Sequence, residues 1–484
     1  MTQLLTGHAL SDMLAAWLPR QRWFPGHGAS AGELEIVSDE VLLDGDPQLR
    51  HLIVEAGQVG MQARFQVLLG CRKQLPPTLT APALIGQLPG MTCYDALHDP
   101  ELAAVLLRGI TEQRAAGPLR FVREPAAPLP DLAASAPGSR LLTAEQSNTS
   151  LVFGEAAILK VLRRLFPGAN PDLEVADALA RLGSDRVAAP FGWIETRLDG
   201  EPVLLAVLSE FLAGASDGWS LATGTLARLY ARHGAYGQEY LTAPVAADVQ
   251  AADVQAAAPG ASPGPAAGAL PFAARARELG TATAQMHVDM ATAFGSRPMT
   301  PGELAVLAAT LRAKLDQAVT IVPELAPHAG RIAAAYDELA RIGEPVMIQR
   351  IHGDYHLGQV LYSRHGWVAL DFEGEPAAPL AERRALAPAL RDVAGMLRSI
   401  DYAARHQLLG QPEREDLAAT AAEWVTQCQR EFCAGYSAGG GADPDDQATL
   451  LRALTLEKAV YEVIYEYRHR PGWLTIPLDY VAAA

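Results

Sequence analysis

The pattern of apolar and polar positions predicts short strands and one helix in the first part of the chain. Apolar runs bounded by polar or turn residues lie at Val41–Leu43, His51–Glu55 and Phe65–Leu69, and each predicts a strand. The apolar spacing over Glu101–Gly109 is that of a helix. Further strands are predicted at Ser150–Gly154, Ala156–Leu162 and Val203–Phe211.

Beyond Phe211 the pattern changes to long segments rich in Ala, Leu, Arg and Glu that repeat with helical periodicity. Helices are predicted over Phe272–Asp289, Pro301–Ile321 and Leu417–Tyr436. Two segments interrupt the pattern. Ala115–Ser139 is rich in Pro and Ala and predicts a connection between two units, and the Ala-, Pro- and Gly-rich Ala243–Leu270 predicts a flexible surface insertion. The expected order is a mixed N-terminal domain, a strand-rich lobe and a helical lobe.

Composition and charge exclude several classes of function. Of the 484 residues 49% are hydrophobic and 19% charged, which is typical of a globular protein, and the length predicts two or three domains. The formal net charge of -16 disfavours binding to nucleic acid or to anionic membranes. The four cysteines show no zinc-ligand spacing and no disulfide framework. The first residues do not resemble a signal peptide, so we expect a cytoplasmic protein that does not associate with membranes.

The strongest chemical signal lies between Gln349 and Glu375. His352-Gly353-Asp354 is followed by Gln359, and Asp371-Phe372-Glu373 comes directly after the predicted strand Gly366–Leu370. Phosphoryl transfer to a hydroxyl requires a carboxylate that orients the hydroxyl and accepts its proton, together with oxygen ligands for Mg²⁺. A loop Asp, an amide a few residues later and a second Asp at a strand end supply these groups.

This combination resembles the aminoglycoside-phosphotransferase-like kinases, which are related to protein kinases. The resemblance implies an α+β, bilobal protein-kinase-like fold that uses ATP and Mg²⁺. It implies that Asp354 is the catalytic base and that Gln359, Asp371 and Glu373 bind the metal. In this family an Asp placed as Asp392 braces the catalytic loop.

The nucleotide site is expected upstream of this motif. Lys160, within an apolar strand, would bind the phosphates of ATP, and Glu174 at the start of a helix would pair with it. The alternative for Lys160 is a lysine on an edge strand without a role in binding. The alternative for Glu174 is a carboxylate that only stabilises the N-terminus of its helix through the helix dipole. A segment that would cover the phosphates is predicted at Gln146, Ser147, Asn148 and Ser150. A hinge that would bind adenine through its backbone is predicted at Glu210 and Leu212.

A closer resemblance covers nearly the whole chain. Arg20–Phe24, Asn170–Val175, Leu456–Glu462 and Arg468–Leu474 look like the corresponding segments of bacterial maltokinases and their maltokinase-like relatives, a group in which the actinobacterial glucosamine kinases resemble maltokinases closely. The resemblance implies an N-terminal α/β cap domain at 1–112, a β-rich nucleotide-binding lobe at 113–212 and a helical catalytic lobe at 213–484, with the flexible insertion at 243–270. Tyr355, where maltokinases have Leu, favours the glucosamine kinases.

Glucosamine carries an ammonium group at neutral pH, so a pocket with uncompensated carboxylates is expected. The candidates are Asp401, Glu462 and Glu466, although a solvated helix face is the alternative for the last two. His356, Tyr465 and Trp473 are further predicted substrate contacts, together with Asp354. The predicted reaction is the phosphorylation of D-glucosamine to glucosamine 6-phosphate. Phosphorylation of maltose to maltose 1-phosphate and a non-catalytic pseudokinase are the alternatives, and protein partners are not predicted.

Overall fold

The computed structural model describes residues 8–24, 33–58, 61–77, 79, 81–125, 138–142, 148–232, 272–375, 378–409 and 415–484. These residues form two compact units. The first extends to Ala180 and includes Ala188–Ala213, and the second consists of Arg181–Val187 and the chain from Gly214 onward. The division into three domains stays a prediction. Gln146, Ser147 and the insertion Ala243–Leu270 lie outside the described residues.

The first unit is rich in antiparallel strands. Its elements are α1 (His8–Trp17), β1 (Glu33–Leu43), β2 (Gln48–Gln58), β3 (Met61–Arg72), β4 (Leu84–Leu88), β5 (Met91–Asp95), α2 (Pro100–Thr111), β6 (Ala115–Ala116), β7 (Leu119–Arg123), β8 (Ser139–Leu142), β9 (Asn148–Phe153), β10 (Ala157–Leu162), β11 (Arg164–Leu165), α3 (Pro171–Arg181), β12 (Pro190–Leu198) and β13 (Glu201–Glu210).

These strands form two sheets. One has the order β1-β2-β3-β5-β4, with β11 paired to β3, and the other has the order β6-β7-β12-β13-β10-β9-β8. Alternate residues of β2 and β3 enter two different cores, as the two-residue period of a strand requires. Ile53 and Leu68 pack in the core that includes α2, whereas Leu52 and Val67 pack in the core that includes α1.

The structure changes one prediction in this unit. Ala115–Ser139 was expected to be a connection, but Leu119–Arg123 pairs with β12 and belongs to the second sheet. The Pro and Ala content of the segment therefore concealed a short strand with buried Leu119 and Phe121. Residues 126–137 of the predicted connection lie outside the described part of the chain.

The second unit is mostly helical. Its elements are β14 (Ser216–Asp217), α4 (Gly218–Arg232), α5 (Phe272–Phe294), β15 (Ser296–Pro298), α6 (Pro301–Ile321), α7 (Ala326–Leu339), β16 (Met347–Gln349), β17 (Val360–Ser363), β18 (Gly366–Ala369), α8 (Leu380–Arg383), α9 (Leu390–Arg405), α10 (Glu415–Ala438), α11 (Ala448–His469) and α12 (Thr475–Ala483).

Close backbone packing between helices α5 and α10 requires glycine. A Cβ on Gly280 would lie 2.0 Å from the carbonyl oxygen of Phe432, and a Cβ on Gly435 would lie 2.0 Å from that of Arg277. Strands β14, β17 and β18 form a small antiparallel sheet. Strands β17 and β18 belong to the segment Gln349–Glu375, which carries the predicted chemical groups. Among the described helices, none has the length and apolarity needed to cross a lipid bilayer.

Candidate active site

The loop that carries Asp354 is held in place by the carboxylate of Asp392 in the first turn of α9. Asp392 accepts hydrogen bonds from the backbone N–H groups of His352 (2.7 Å) and Gly353 (2.9 Å). His287 Nε2 lies 3.0 Å from the same carboxylate. Burial opposes ionisation of Asp392, but the contact with His287 and the backbone donors outweigh it and lower its pKa. Asp392 thus has the bracing role that the sequence predicts.

His352 connects this loop to the strand that precedes Asp371. Its Nδ1 accepts a hydrogen bond from the N–H of Asp354 at 3.4 Å, so Nε2 carries the proton and donates to the carbonyl of Leu370 at 2.7 Å. The N–H of Leu370 in turn donates to the carbonyl of Gln359 at 2.9 Å. These bonds hold the three predicted chemical groups of the motif close together.

Asp354 lies beside two potential proton or charge partners. Lys458 Nζ is 3.2 Å from Asp354 Oδ1, and His356 Nε2 is 3.9 Å from Asp354 Oδ2. Burial disfavours the charged form of Asp354, yet the positive charge of Lys458 outweighs burial and lowers its pKa. Burial lowers the pKa of His356 to about 4, so its imidazole is neutral at pH 7. Asp354 is therefore an ionised carboxylate that can accept a hydrogen bond.

Gln359, Asp371 and Glu373 offer oxygen atoms suited to a hard cation. The side-chain Oε1 of Gln359 is buried and, within the described chain, has no hydrogen-bond partner. Carboxylate oxygens of Asp371 and Glu373 lie within 4.8 Å of one another. Asp371 has a φ of 56°, a left-handed conformation that is uncommon outside glycine. This set of donors fits Mg²⁺, which prefers carboxylate and amide oxygens.

A cavity of about 380 Å³ opens beside Asp354 within the second unit. Its wall is formed largely by one face of α11, where Lys458, Glu462 and Glu466 follow one another at intervals of four residues. Tyr465 and Trp473 contribute aromatic surface, and His356 lines the end next to Asp354. The described lining contains four carboxylates (Asp354, Glu375, Glu462, Glu466) against three cationic side chains (Lys458, Arg468, Arg470).

Glu462 and Glu466 differ in how their oxygens are used. Arg398 donates two hydrogen bonds to Glu462, of 2.9 and 2.7 Å, and both end on Oε2. In the described residues, Glu462 Oε1 accepts no hydrogen bond. Both oxygens of Glu466 accept from Arg470, at 2.7 and 2.9 Å, and Tyr402 adds a bond of 3.1 Å. Burial raises the pKa of both carboxyl groups despite the arginines. Glu462 is therefore the carboxylate that retains an acceptor oxygen for a ligand.

In the first unit Lys160 lies at the centre of β10. It is directly opposite Ser150 of β9, and its Nζ lies 3.6 Å from the carboxylate of Asp172. Asn170 caps helix α3 by accepting from the N–H of Asp172 at 2.9 Å, and Pro171 occupies the first helical position. The cap thus positions Asp172 and the predicted partner Glu174 in the first turn of α3.

The same sheet carries a small apolar cluster beside the predicted hinge. Val152 and Ile158 are buried, and Leu142 and Phe211 pack against them. Strand β13 ends at Glu210, and Leu212 follows with its side chain buried. Asn148 begins β9 and is opposite Leu162. Ser150 Oγ is buried without a hydrogen-bond partner in the described part of the chain. Apolar surface, a cation and the hydroxyl of Ser150 occur together here, and nucleotide binding requires groups of these kinds.

Comparison with known proteins adds independent information. A glucosamine kinase from Streptacidiphilus jiangxiensis is 33% identical over 356 residues, which cover 71% of this chain and 73% of that protein. The chain belongs to the glucosamine kinase family. A second glucosamine kinase, from Mycolicibacterium smegmatis, is 29% identical over 350 residues, covering 71% of this chain and 78% of that protein.

Two further similarities agree with membership of the glucosamine kinase family. The family model of the maltokinase N-terminal cap domain matches residues 17–99. A solved structure described as glucosamine kinase in complex with glucosamine, ADP and inorganic phosphate has a TM-score of 0.65 and 25% identity, covering 98% of both chains. These findings confirm the predicted fold class, a sheet-rich N-terminal part with a cap domain followed by a helical C-terminal part. They also confirm the resemblance to glucosamine kinases.

The structure corrects the expectation of uncompensated carboxylates in this family member. Glu462 pairs with Arg398, Glu466 pairs with Arg470, and Asp401 pairs with both Arg398 and Arg405. A buried carboxylate without a partner would be too costly, so each is paired with an arginine. Asp401 is also not among the residues that line the cavity, and its carboxylate accepts a hydrogen bond from Arg398 at 2.8 Å. Of the three predicted carboxylates, Glu462 is the one that lines the cavity and has an oxygen without a hydrogen bond among the described residues.

Sequence reasoning missed Lys458, Asp172 and Arg398. Lys458 could have been found from its helical spacing, because it lies four residues before Glu462 on the same face. Asp172 lies in the same first helical turn as Glu174, but only the structure shows its ion pair with Lys160. Tyr355 was interpreted as a marker of the substrate, and the structure places its hydroxyl 3.0 Å from buried Thr283 Oγ1, beneath the catalytic loop.

Proposed function

We propose that this chain transfers the γ-phosphate of ATP to the O6 hydroxyl of D-glucosamine in a magnesium-dependent reaction. The observation that carries the proposal is the cavity beside Asp354, which combines an ionised base at one end with an available carboxylate oxygen of Glu462 on its wall. The glucosamine and ADP bound to the solved relative support the same pair of substrates. Membership of the glucosamine kinase family supports catalysis over a pseudokinase role.

Asp354 is the proposed catalytic base. Its lowered pKa keeps it ionised, and an ionised carboxylate orients the acceptor hydroxyl and accepts its proton as phosphoryl transfer proceeds. Lys458, paired with Asp354, keeps the carboxylate in position and adds positive charge where the transferred phosphoryl group carries negative charge. His356 is neutral at pH 7 and lines the same end of the cavity.

Gln359, Asp371 and Glu373 are the proposed ligands of Mg²⁺. When bound, the metal neutralises charge on the phosphates of ATP. The buried, unpartnered Oε1 of Gln359 supports this role, because an acceptor oxygen without a partner is costly unless a ligand satisfies it. The backbone N–H of Leu370 donates to the backbone carbonyl of Gln359, which keeps Gln359 next to the strand end that bears Asp371.

Residues of the first unit are proposed to bind ATP. Lys160, oriented by Asp172 and with Glu174 a further candidate, would contact the phosphates. Val152 and Ile158 offer apolar surface for adenine, and the backbone at Glu210 and Leu212 would form its hydrogen bonds. Asn148 and Ser150 supply polar groups on the neighbouring strand, and Gln146 and Ser147 remain candidates by sequence alone.

The orientation of glucosamine follows from charge along α11. Residues four apart on a helix are separated by about 6 Å along its axis. Lys458 would repel the ammonium group from the end occupied by Asp354, whereas Glu462, one turn away, would attract it. A hydroxyl at the far end of the sugar from the amine therefore faces the base. Tyr465 and Trp473 would contact the apolar surface of the ring.

An ADP-release assay with a panel of sugars tests the proposal. Glucosamine, N-acetylglucosamine, glucose and maltose are compared at equal concentrations, with wild-type protein and with the Asp354→Asn variant as the control for contaminating kinases. We expect sugar-dependent ADP release that is highest with glucosamine. Highest turnover with maltose would favour the maltokinase activity suggested by the cap-domain match at residues 17–99. No sugar-dependent release would favour a binding role.

A further inference from the structure

Two cysteines in the cap region lie directly opposite one another on neighbouring strands. Cys71 of β3 and Cys93 of β5 form a cross-strand pair, so their side chains project from the same face of the sheet. Their Sγ atoms are 3.1 Å apart, and both residues are fully buried. A disulfide bond would require the sulfur atoms to approach by about a further 1 Å. The packing therefore brings two thiols close to bonding distance.

A buried cation lies on the same face of the sheet as these thiols. Arg50 of β2 pairs with Asp39, yet its Nη1 has no hydrogen-bond partner among the described residues. The positive charge of Arg50 favours the thiolate form of either cysteine. The hydrogen bond from Cys93 lowers the pKa of Cys71, whereas the pKa of Cys93 is raised. Cys71 is consequently the thiol that ionises first.

We propose that Cys71 and Cys93 form a redox-active dithiol, which peroxides oxidise to a disulfide when local opening of this part of the sheet admits them to the buried thiols. The Cys71 thiolate attacks one peroxide oxygen and the O–O bond breaks, so Cys71 becomes a sulfenic acid while the other peroxide oxygen takes up a proton and leaves as water or an alcohol. The Cys93 sulfur, losing its proton, then attacks the Cys71 sulfur. The S–O bond breaks and the sulfenic oxygen leaves as water, so the two thiols lose two electrons and the peroxide gains them.

The other two cysteines provide an internal control. Cys428 and Cys433 both belong to α10 and are separated by five residues, which places their side chains on different sides of the helix. Burial raises the pKa of the Cys428 thiol to about 12 and that of Cys433 to about 11. These thiols should be poor nucleophiles and cannot bridge to one another.

The test is peroxide treatment of the folded full-length chain, followed by denaturing alkylation and non-reducing peptide mapping. We expect loss of two alkylatable thiols and a single cross-linked peptide pair that contains Cys71 and Cys93, reversed by dithiothreitol. The Cys428→Ser/Cys433→Ser double variant should behave in the same way. A Cys93→Ser variant should instead accumulate a sulfenic acid at Cys71 that a dimedone probe traps.

Two results would overturn the proposal. One is full alkylation of Cys71 and Cys93 after a peroxide dose that oxidises methionine residues in the same sample. The other is a disulfide that involves Cys428 or Cys433. Because the mapping uses the wild-type chain, a serine variant that fails to fold would not prevent either conclusion. The readout does not depend on kinase activity, so it is separate from the proposed function.

Discussion

The catalytic loop and the cavity face of helix α11 are positioned in different ways. The loop around Asp354 is held by hydrogen bonds. The carboxylate of Asp392 accepts from its backbone, and His352 and Gln359 both bond to the backbone of Leu370. The face of α11 depends on ion pairs with distant residues, such as the bond from Arg398 to Glu462. We propose that the phosphoryl-transfer chemistry belongs to the first region and that the contacts that select the acceptor belong to the second. Substitutions in the two regions should therefore have different kinetic effects.

The largest effect is expected at the base. Asp354→Asn retains the shape of the side chain but removes the proton acceptor, so kcat should fall by on the order of 10²–10⁴ while the KM for ATP changes little. Steady-state kinetics with varied ATP measure both values. Asp316→Asn, an exposed Asp on α6, is the matched control and should retain wild-type kinetics. Near-normal turnover of Asp354→Asn would remove Asp354 from the role of base.

A smaller effect is expected at Lys458, where the two regions meet. Lys458→Met removes the cation 3.2 Å from Asp354, so burial should raise the pKa of that carboxyl. We expect kcat to fall by roughly 10- to 100-fold, and the acidic limb of the kcat profile to move to higher pH. Lys314→Met removes an exposed lysine that is paired with Glu457, and it should not change the pH of the acidic limb of the kcat profile. An unchanged limb in Lys458→Met would mean that Lys458 does not control the ionisation of Asp354.

The pH dependence of wild-type kinetics separates the two regions without a substitution. The pKa of Glu462 is raised, so this carboxylate is protonated early as the pH falls and loses its attraction for the ammonium group. The pKa of Asp354 is lowered, so the base stays ionised in the same range. On mild acidification the KM for glucosamine should rise several-fold while kcat is maintained. If kcat fell first, the assignment of the two carboxylates would be reversed.

The sequence predicted the catalytic loop far better than the sugar site. His352, Asp354, Gln359 and Asp371 lie within twenty residues, so their spacing and the strand before Asp371 were sufficient to bring them together. Helix α6 was predicted with its observed bounds and α10 was predicted except for two residues at each end, because their apolar periodicity is long and regular. Strand β7 was missed, because five residues in a Pro-rich context carry little periodic signal.

The acceptor site depends on contacts that local pattern does not encode. Glu462 and Glu466 were correctly placed on one helical face, but the spacing could not show that Arg398, 64 residues away in sequence, occupies one oxygen of Glu462. Nor could it show that Arg470 and Tyr402 occupy both oxygens of Glu466. The difference between the two carboxylates is a tertiary property, and it changes which of them is expected to bind the amine.

The most direct test of the account is the ratio of kcat/KM for glucosamine to that for glucose, measured in wild-type protein, Glu462→Gln and Glu466→Gln. Loss of a charged hydrogen bond in a buried site costs about 1–3 kcal/mol. The ratio should exceed about 10 in wild-type protein, fall by at least about tenfold in Glu462→Gln, and change much less in Glu466→Gln. A ratio that Glu462→Gln leaves unchanged would contradict the claim that Glu462 recognises the ammonium group.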